Sequence, residues 1–232
     1  FEKFEFLSMA DENEVKVKEF FRNEVPPPLF DERMGKLDAF LEFHKNKHPA
    51  VPIALVTSGG TTVPLEKNTV RFLDNFSGGN RGAASAEYLL KAGYAVIFLH
   101  RKHSLQPFCR NFSRMLSKDS FLVDLEEVEG KLRFKTSPEG NILHDWQESV
   151  RYDEANMLLK IPFVTLSHYL YFLKFCSERM QTHTRQELIY LAAAVSDFYL
   201  PEDEIPTHKI QSRGLKNGLD LSLKRVPKMI GK

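Results

Sequence analysis

The sequence has little of what marks several common protein classes. Among its 232 residues there are 2 cysteines, Cys109 and Cys176, far apart and in no CxxC pair. That spacing offers neither a disulfide framework nor a thiolate metal knuckle, and it suits reduced thiols in the cytoplasm. No apolar run is long enough to span a bilayer. The acidic opening FEKFEFLSMADENEV lacks the basic-then-apolar order of a signal peptide, so no membrane partner is expected. Charge of one sign is missing as well: 32 basic side chains against 31 acidic leave a net charge of +1. Without a basic excess, nucleic acid is not an expected partner. Neither G-x-G-x-x-G nor a glycine-rich loop ending in GK[ST] occurs, so the dinucleotide fingerprint and the P-loop both fail.

What is present is an ordinary globular composition with 19 phenylalanines for a core. The ends are unusual. Residue 1 is Phe, and MADENEVKVKEFF from Met9 reads as a natural start with FEKFEFLS ahead of it. VPKMIGK stops where a helix is expected to begin. The chain is therefore expected to be a piece of a longer polypeptide, incomplete at its C-terminal end, or an imperfectly predicted product.

Residues 1–48 read as a helical N-terminal extension packed outside the core. One helix is expected over 13–23, with Val15, Val17, Phe20 and Phe21 as its apolar positions. NEVPPPLFDE breaks it, because consecutive prolines fix φ and remove donors. A second helix is expected over 33–47, where Met34, Leu37, Phe40, Leu41 and Phe43 recur near helical spacing.

From residue 49 the pattern changes. VPIALVT is a short apolar run ending in SGG, as a buried parallel strand would be. A helix over 81–92 follows, closed by Gly93, and YAVIFLH is the next strand. This is a βαβ unit. Residues 111–127 read as mixed helix and loop, KLRFKTS as a strand near an edge, TSPEGNI as a turn, and 145–159 as helix. PFVTL is a strand, HYLYFLKFCSERM a helix, and ELIYLAAAVSDF a strand running into a loop. HKIQSRGLKNGLDLSLKRV carries an NG turn, a hairpin signal. The expected fold class is α/β: over 49–232, a Rossmann-like, mostly parallel sheet flanked by helices, with a hairpin flap.

In such sheets ligands bind beyond the carboxyl ends of the strands. Two ends stand out. After SGG comes an unusually long loop, TTVPLEKNTVRFLDNFSGGNRGAA, whose second glycine cluster opens a helix. A helix N-terminus carries unpaired N–H groups and partial positive charge, which suits phosphate. A flexible loop with a helix cap would look much the same. The other end is AAAVSDF, where small side chains leave room for a ligand or for a neighbouring helix. His44 and His48 would share a helix face, read as solvated rather than zinc-binding. His100 and His103 flank a basic pair and read as surface charge. Ser58 and Ser77 lack a His–Asp constellation, and Cys109 has no activating motif. No metal ligands are assigned.

VTSGGTTVPLE, VRFLDNFSGGNRGAASAEYLLKAGYAVIFLHR, LAAAVSDFYLP and HKIQS together resemble the phosphopantothenoylcysteine synthetase (phosphopantothenate–cysteine ligase) family of the eukaryotic type, over roughly residues 49–229. The resemblance implies a ligase of coenzyme A synthesis. The carboxylate of 4′-phosphopantothenate would attack the α-phosphate of a nucleoside triphosphate, and cysteine would displace the nucleotide from the acyl intermediate. It implies ATP (CTP possible) with Mg2+, and a homodimer. The long first loop then serves two ligands. Gly59, Ser77, Gly79 and Gly82 would contact the nucleotide. Asn75 would stabilise the acyl-nucleotide intermediate, and Arg71 would neutralise phosphate charge. Ala193, Ala194 and Asp197 would hold phosphopantothenate. Lys209, on a flap, would offset charge at the α-phosphate. Gly78 stands where the family usually has a second serine, and Asn80 where a basic residue is common. Two rivals remain at this point. One is a catalytically incomplete paralogue or fragment acting as a binding or regulatory subunit. The other is a nicotinamide-dependent reductase, against which the absent fingerprint weighs.

Overall fold

A computed structural model describes residues 2–68, 70–116, 122, 125–134, 142–183, 186–211 and 219–229. In chain order the elements are α1 (Glu2–Asn23), α2 (Phe30–Lys47), β1 (Ile53–Ser58), β2 (Thr62–Pro64), β3 (Phe72–Asp74), α3 (Asn80–Lys91), β4 (Ala95–Arg101) and α4 (Arg110–Leu116), then β5 (Leu125–Val128), β6 (Lys131–Phe134), α5 (Ile142–Glu154), β7 (Leu158–Phe163), α6 (Leu166–His183), β8 (Glu187–Leu191), β9 (Phe198–Tyr199) and β10 (Lys224–Arg225).

Four strands form the central sheet in the order β7-β4-β1-β8, all parallel. The chain winds outward from β1 through α3 to β4 and through α5 to β7. It then returns through α6 to place β8 on the other side of β1. The winding therefore reverses between β1 and β8. That reversal is the topological switch point, where neighbouring loops diverge and leave a crevice.

β1 is buried along its whole length, as a strand covered on both faces must be. Its alternation sorts the two faces. Ile53 and Leu55 pack with Leu37 and Leu41 of α2 and Phe172 and Met180 of α6. Ala54 and Val56 pack with Ala83, Ala86 and Leu90 of α3 and with Val96 and Phe98 of β4. On α3 these three residues recur at helical spacing, which explains why it lies flat on the sheet.

Several expectations need correction. α1 begins at Glu2, not near residue 13. α2 is not an outer layer: Leu37 and Leu41 are fully buried in the same cluster as β1, so the boundary at residue 48 does not divide the packing. α5 ends at Glu154, and Leu158 and Leu159 belong to β7. Asn156 takes a positive φ of 52°, which breaks the helical run between them. β6 pairs with β5 in a separate two-stranded ribbon turned at Glu129 and Gly130, not with the edge of the main sheet. No helix starts at VPKM, and residues 226–229 are irregular. The expected NG turn at Asn217 and Gly218 lies outside the described residues. Within them, residues 224–225 pair with residues 198–199.

The histidines also differ from expectation. His44 is buried, its Nε2 2.8 Å from the Asn156 carbonyl oxygen and its ring edge-on to Phe40. It continues the stripe Met34, Leu37, Leu41, so spacing placed it inward. His100 is also buried and stacks on Phe98, with Nδ1 2.9 Å from Gln106 Nε2. Burial lowers the pKa of both rings, so they favour the neutral form.

Candidate functional site at the switch point

The two loops singled out from sequence lie side by side, because β1 and β8 are hydrogen-bonded neighbours. Thr57 aligns with Leu191, and beyond the strands Gly60 bridges to Ala194. Ala194 N–H donates to the Gly59 carbonyl at 2.8 Å, and Thr61 N–H donates to the Ala194 carbonyl at 3.0 Å. Asn75 crosses the same gap. Its backbone N–H donates to the Thr61 carbonyl at 3.0 Å and its side-chain amide to the Val195 carbonyl at 3.1 Å. Asn75 is thus joined to both expected ligand loops at once.

The expected nucleotide residues also gather. Gly79 caps α3 with a φ of 81°, a left-handed conformation that glycine adopts without strain. Its carbonyl accepts from the Ser58 hydroxyl at 3.1 Å, and its N–H donates to the Ser77 hydroxyl at 3.3 Å. At Gly82 there is no room for a side chain, because a Cβ would collide with Ser58. Small residues therefore let the N-terminus of α3 sit directly over the end of β1. The Ser104 hydroxyl lies in this same corner, where a Cβ added at Gly59 or Gly79 would sit 3.2 or 3.1 Å from Ser104 Cβ. That hydroxyl is buried and has no hydrogen-bond partner among the described residues. An orphaned donor, a glycine-lined corner and a helix N-terminus fit a phosphate group.

Arg71 is engaged within the long loop itself. Its Nε and Nη2 donate to Glu66 Oε1 at 2.9 and 2.6 Å, its backbone N–H donates to Glu66 Oε2 at 2.9 Å, and Nη2 also donates to the Ile210 carbonyl at 2.7 Å. Glu66 is fully buried and also accepts from Ile210 N–H at 3.2 Å. Burial alone would raise the Glu66 pKa, but these donors outweigh it and hold the carboxyl below its usual range. Arg71 thereby closes the long loop and ties it to residues 206–211. Two backbone bonds reinforce the tie: Lys67 N–H to the Pro206 carbonyl at 2.9 Å and Asn68 N–H to the Thr207 carbonyl at 3.3 Å. Lys209 rides on this docked segment with its side chain exposed.

Asp197 is exposed, and its carbonyl accepts from Val226 N–H at 2.9 Å. With Ala193 it lines a cavity of about 630 Å³ whose apolar wall includes Leu170, Leu191 and Val195. Sequence reading missed Glu66, Ser104 and the Asp74–Arg101 pair. The last is a two-point ion pair, 2.7 and 3.2 Å, that anchors the residue before Asn75 to the end of β4. Among the described residues, no group of three or more His, Cys, Asp or Glu side chains gathers as metal ligands would. No described helix is long and apolar enough to cross a membrane.

No family model matches the chain. Individual relatives do. Phosphopantothenate–cysteine ligase 1 of rice is 48% identical over 176 residues, 75% of this chain and 53% of its own length. Phosphopantothenate–cysteine ligase CAB2 of Saccharomyces cerevisiae is 42% identical over 84% of this chain and 52% of its own length. Phosphopantothenate–cysteine ligase 1 of Arabidopsis thaliana is 40% identical over 94% and 67%. The chain thus spans from 52% to 67% of the length of these relatives. A solved structure of a Cab2 mutant in complex with phosphopantothenate-cysteine superposes with a TM-score of 0.80 at 41% identity, covering 91% of this chain and 68% of that one. With identity of 40% sustained along nearly the whole chain and the same backbone path, this chain belongs to the phosphopantothenate–cysteine ligase family.

Proposed function

We propose that the protein takes part in joining 4′-phosphopantothenate to L-cysteine through an acyl-nucleotide, with ATP as the favoured nucleotide and Mg2+ accompanying it. The observation that carries this reading is Asn75. It is hydrogen-bonded to the β1 loop through its backbone and to the β8 loop through its side chain. A reaction that joins two ligands needs such a residue where their sites meet. The Cab2 complex with phosphopantothenate-cysteine supports the same substrates for this fold.

In this reading the substrate carboxylate attacks the α-phosphorus and pyrophosphate leaves. The cysteine amine then attacks the acyl carbon, nucleoside monophosphate departs, and the amine proton passes to solvent. The N–H groups at the start of α3 and the Ser104 hydroxyl face the phosphate corner. The Asn75 amide has two N–H donors; one holds the Val195 carbonyl, and the second can stabilise negative charge on the intermediate without titrating. Lys209 brings a positive charge on the segment that Glu66 and Arg71 dock. Ala193, Ala194 and Asp197 form the phosphopantothenate side.

The protein is further proposed to act in the cytoplasm as a homodimer. Val70, Phe72, Leu73 and Phe76 all expose apolar surface around β3, Phe76 to 83%, which suits burial against a second copy. The test is pyrophosphate release from ATP with and without 4′-phosphopantothenate. Release should require the phosphorylated substrate, and pantothenate should substitute poorly. Release that ignores phosphopantothenate would overturn the assignment.

A further inference from the structure

Residues 192–196 read AAAVS, so the loop on the β8 side has almost no side-chain polarity with which to place itself. It is held from β1 instead. Thr57 Oγ1 accepts from the N–H groups of Ala192 and Ala193 at 3.1 and 3.2 Å. Thr61 Oγ1 accepts from Ser196 N–H at 3.0 Å. Both threonines are fully buried. Between them lie the backbone bonds of Gly59 and Thr61 to Ala194, and the Asn75 bond to Val195. The two hydroxyls therefore complete a ladder where the strands have already parted.

A valine would fill the same volume and suit a buried strand as well, so shape alone does not call for threonine at position 57. The hydroxyl is what the position uses. Having accepted two N–H groups, it still has a proton to share, and its hydrogen bond to the Tyr169 hydroxyl uses that capacity. Tyr169, on α6, lines the same cavity as Ala193, Ser196 and Asp197. A chain of contacts thus runs from α6 through Thr57 to the backbone at the cavity.

We infer that Thr57 and Thr61 are positioning residues that set the backbone of residues 192–196 for the phosphopantothenate side of the site. The identity of that ligand rests on the ligase reading above; the brace itself does not. The Ala192 N–H also donates to the Thr57 carbonyl at 3.2 Å, so removing the Thr57 hydroxyl takes the acceptor from the half-buried Ala193 N–H, and removing the Thr61 hydroxyl takes it from Ser196 N–H; the loop then relaxes to find other partners.

The experiment compares the chain with its Thr57→Val, Thr57→Ser and Thr61→Val variants by amide hydrogen exchange and by calorimetric titration with 4′-phosphopantothenate. Thr57→Val should speed exchange chiefly at Ala193, because Ala192 keeps its bond to the Thr57 carbonyl, and Thr61→Val at Ser196, leaving β4 and β7 unchanged. Thr57→Val should weaken phosphopantothenate binding by about tenfold, the scale of one unmet buried hydrogen bond. Thr57→Ser should restore both. Unchanged exchange and affinity in Thr57→Val would overturn the inference, as would acceleration spread evenly over the sheet. Local acceleration in a protein that does not bind phosphopantothenate would uphold the brace and remove the ligase reading.

Discussion

Arg71 holds Glu66 by three hydrogen bonds, one from its backbone and two from its guanidinium, although only five residues separate them. The pair closes a loop and, through Ile210, captures a segment 139 residues further along the chain. Glu66 is the buried member, and its folded pKa lies below the ordinary value of 4.5. For a carboxylate shifted down, the stabilisation is fully present above the unfolded pKa and is lost as pH falls through the folded one. Undocking of residues 206–211 is therefore expected below pH 4.5, not near neutrality. Thermal unfolding from pH 7 to pH 3 should show a steep acid loss of stability, flattened in Glu66→Gln. Equal acid slopes in the two proteins would rule Glu66 out as the source.

Asn75→Ala tests the junction of the two loops. It removes the Val195 bond and the second N–H donor together. Loss of one oxyanion donor typically slows catalysis about 100- to 1000-fold. Product formation is expected to fall in that range while nucleotide affinity stays near that of the parent. Single-turnover measurement of amide formation, paired with nucleotide titration, separates the two. A large loss of nucleotide affinity would place Asn75 in ground-state binding instead.

How far the sequence carried depends on how local the cause was. β1, α3 and β4 were readable because each is specified by its own stripe or run: IALV, the Ala83–Ala86–Leu90 spacing, and AVIFL. The adjacency of the SGG and AAAVS loops was foreseeable only as two strand ends; their hydrogen bonds depend on β8 being set beside β1, which no local pattern encodes. The Arg71–Glu66 pair is not legible in the sequence, because Glu66 is merely one acidic residue in a polar loop until the fold buries it. His44 was legible in principle. It falls seven residues after Leu37 and three after Leu41, and its polarity masked a core position. The end of α5 was misplaced because Leu158 and Leu159 extend a helical pattern that only the backbone turn at Asn156 interrupts.

Two glycines in helices should respond in opposite directions to alanine. In α3, a Cβ at Gly82 would collide with Ser58 Cβ and Oγ and sit 3.0 Å from its Cα, so the helix must lift from β1. Overpacking of this kind costs about 1–3 kcal/mol. Gly35, inside α2, has nothing within 4 Å of the same position. Gly35→Ala should stabilise by up to about 1 kcal/mol through helix propensity alone. Denaturant unfolding reads both. Gly82→Ala should also weaken nucleotide binding, because it moves the N-terminus of α3, whereas Gly35→Ala should leave binding alone.

The last expectation concerns β8. It pairs with β1 on one side, and among the described residues no strand pairs with its other side. Leu188, Ile189, Tyr190 and Leu191 are exposed by 37% to 40%, on both faces of the strand. An apolar edge with free backbone groups is a template for adding another strand, and proteins commonly blunt such edges with lysine. The chain is therefore expected to self-associate through this edge as its concentration rises. Ile189→Lys places a charge on that edge without touching Asn75, Gly79 or the loop at residues 192–196. Light scattering across a concentration series should show growing mass for the parent and a steady mass for the variant. If the parent holds one mass at every concentration, the β8 edge is not acting as a template.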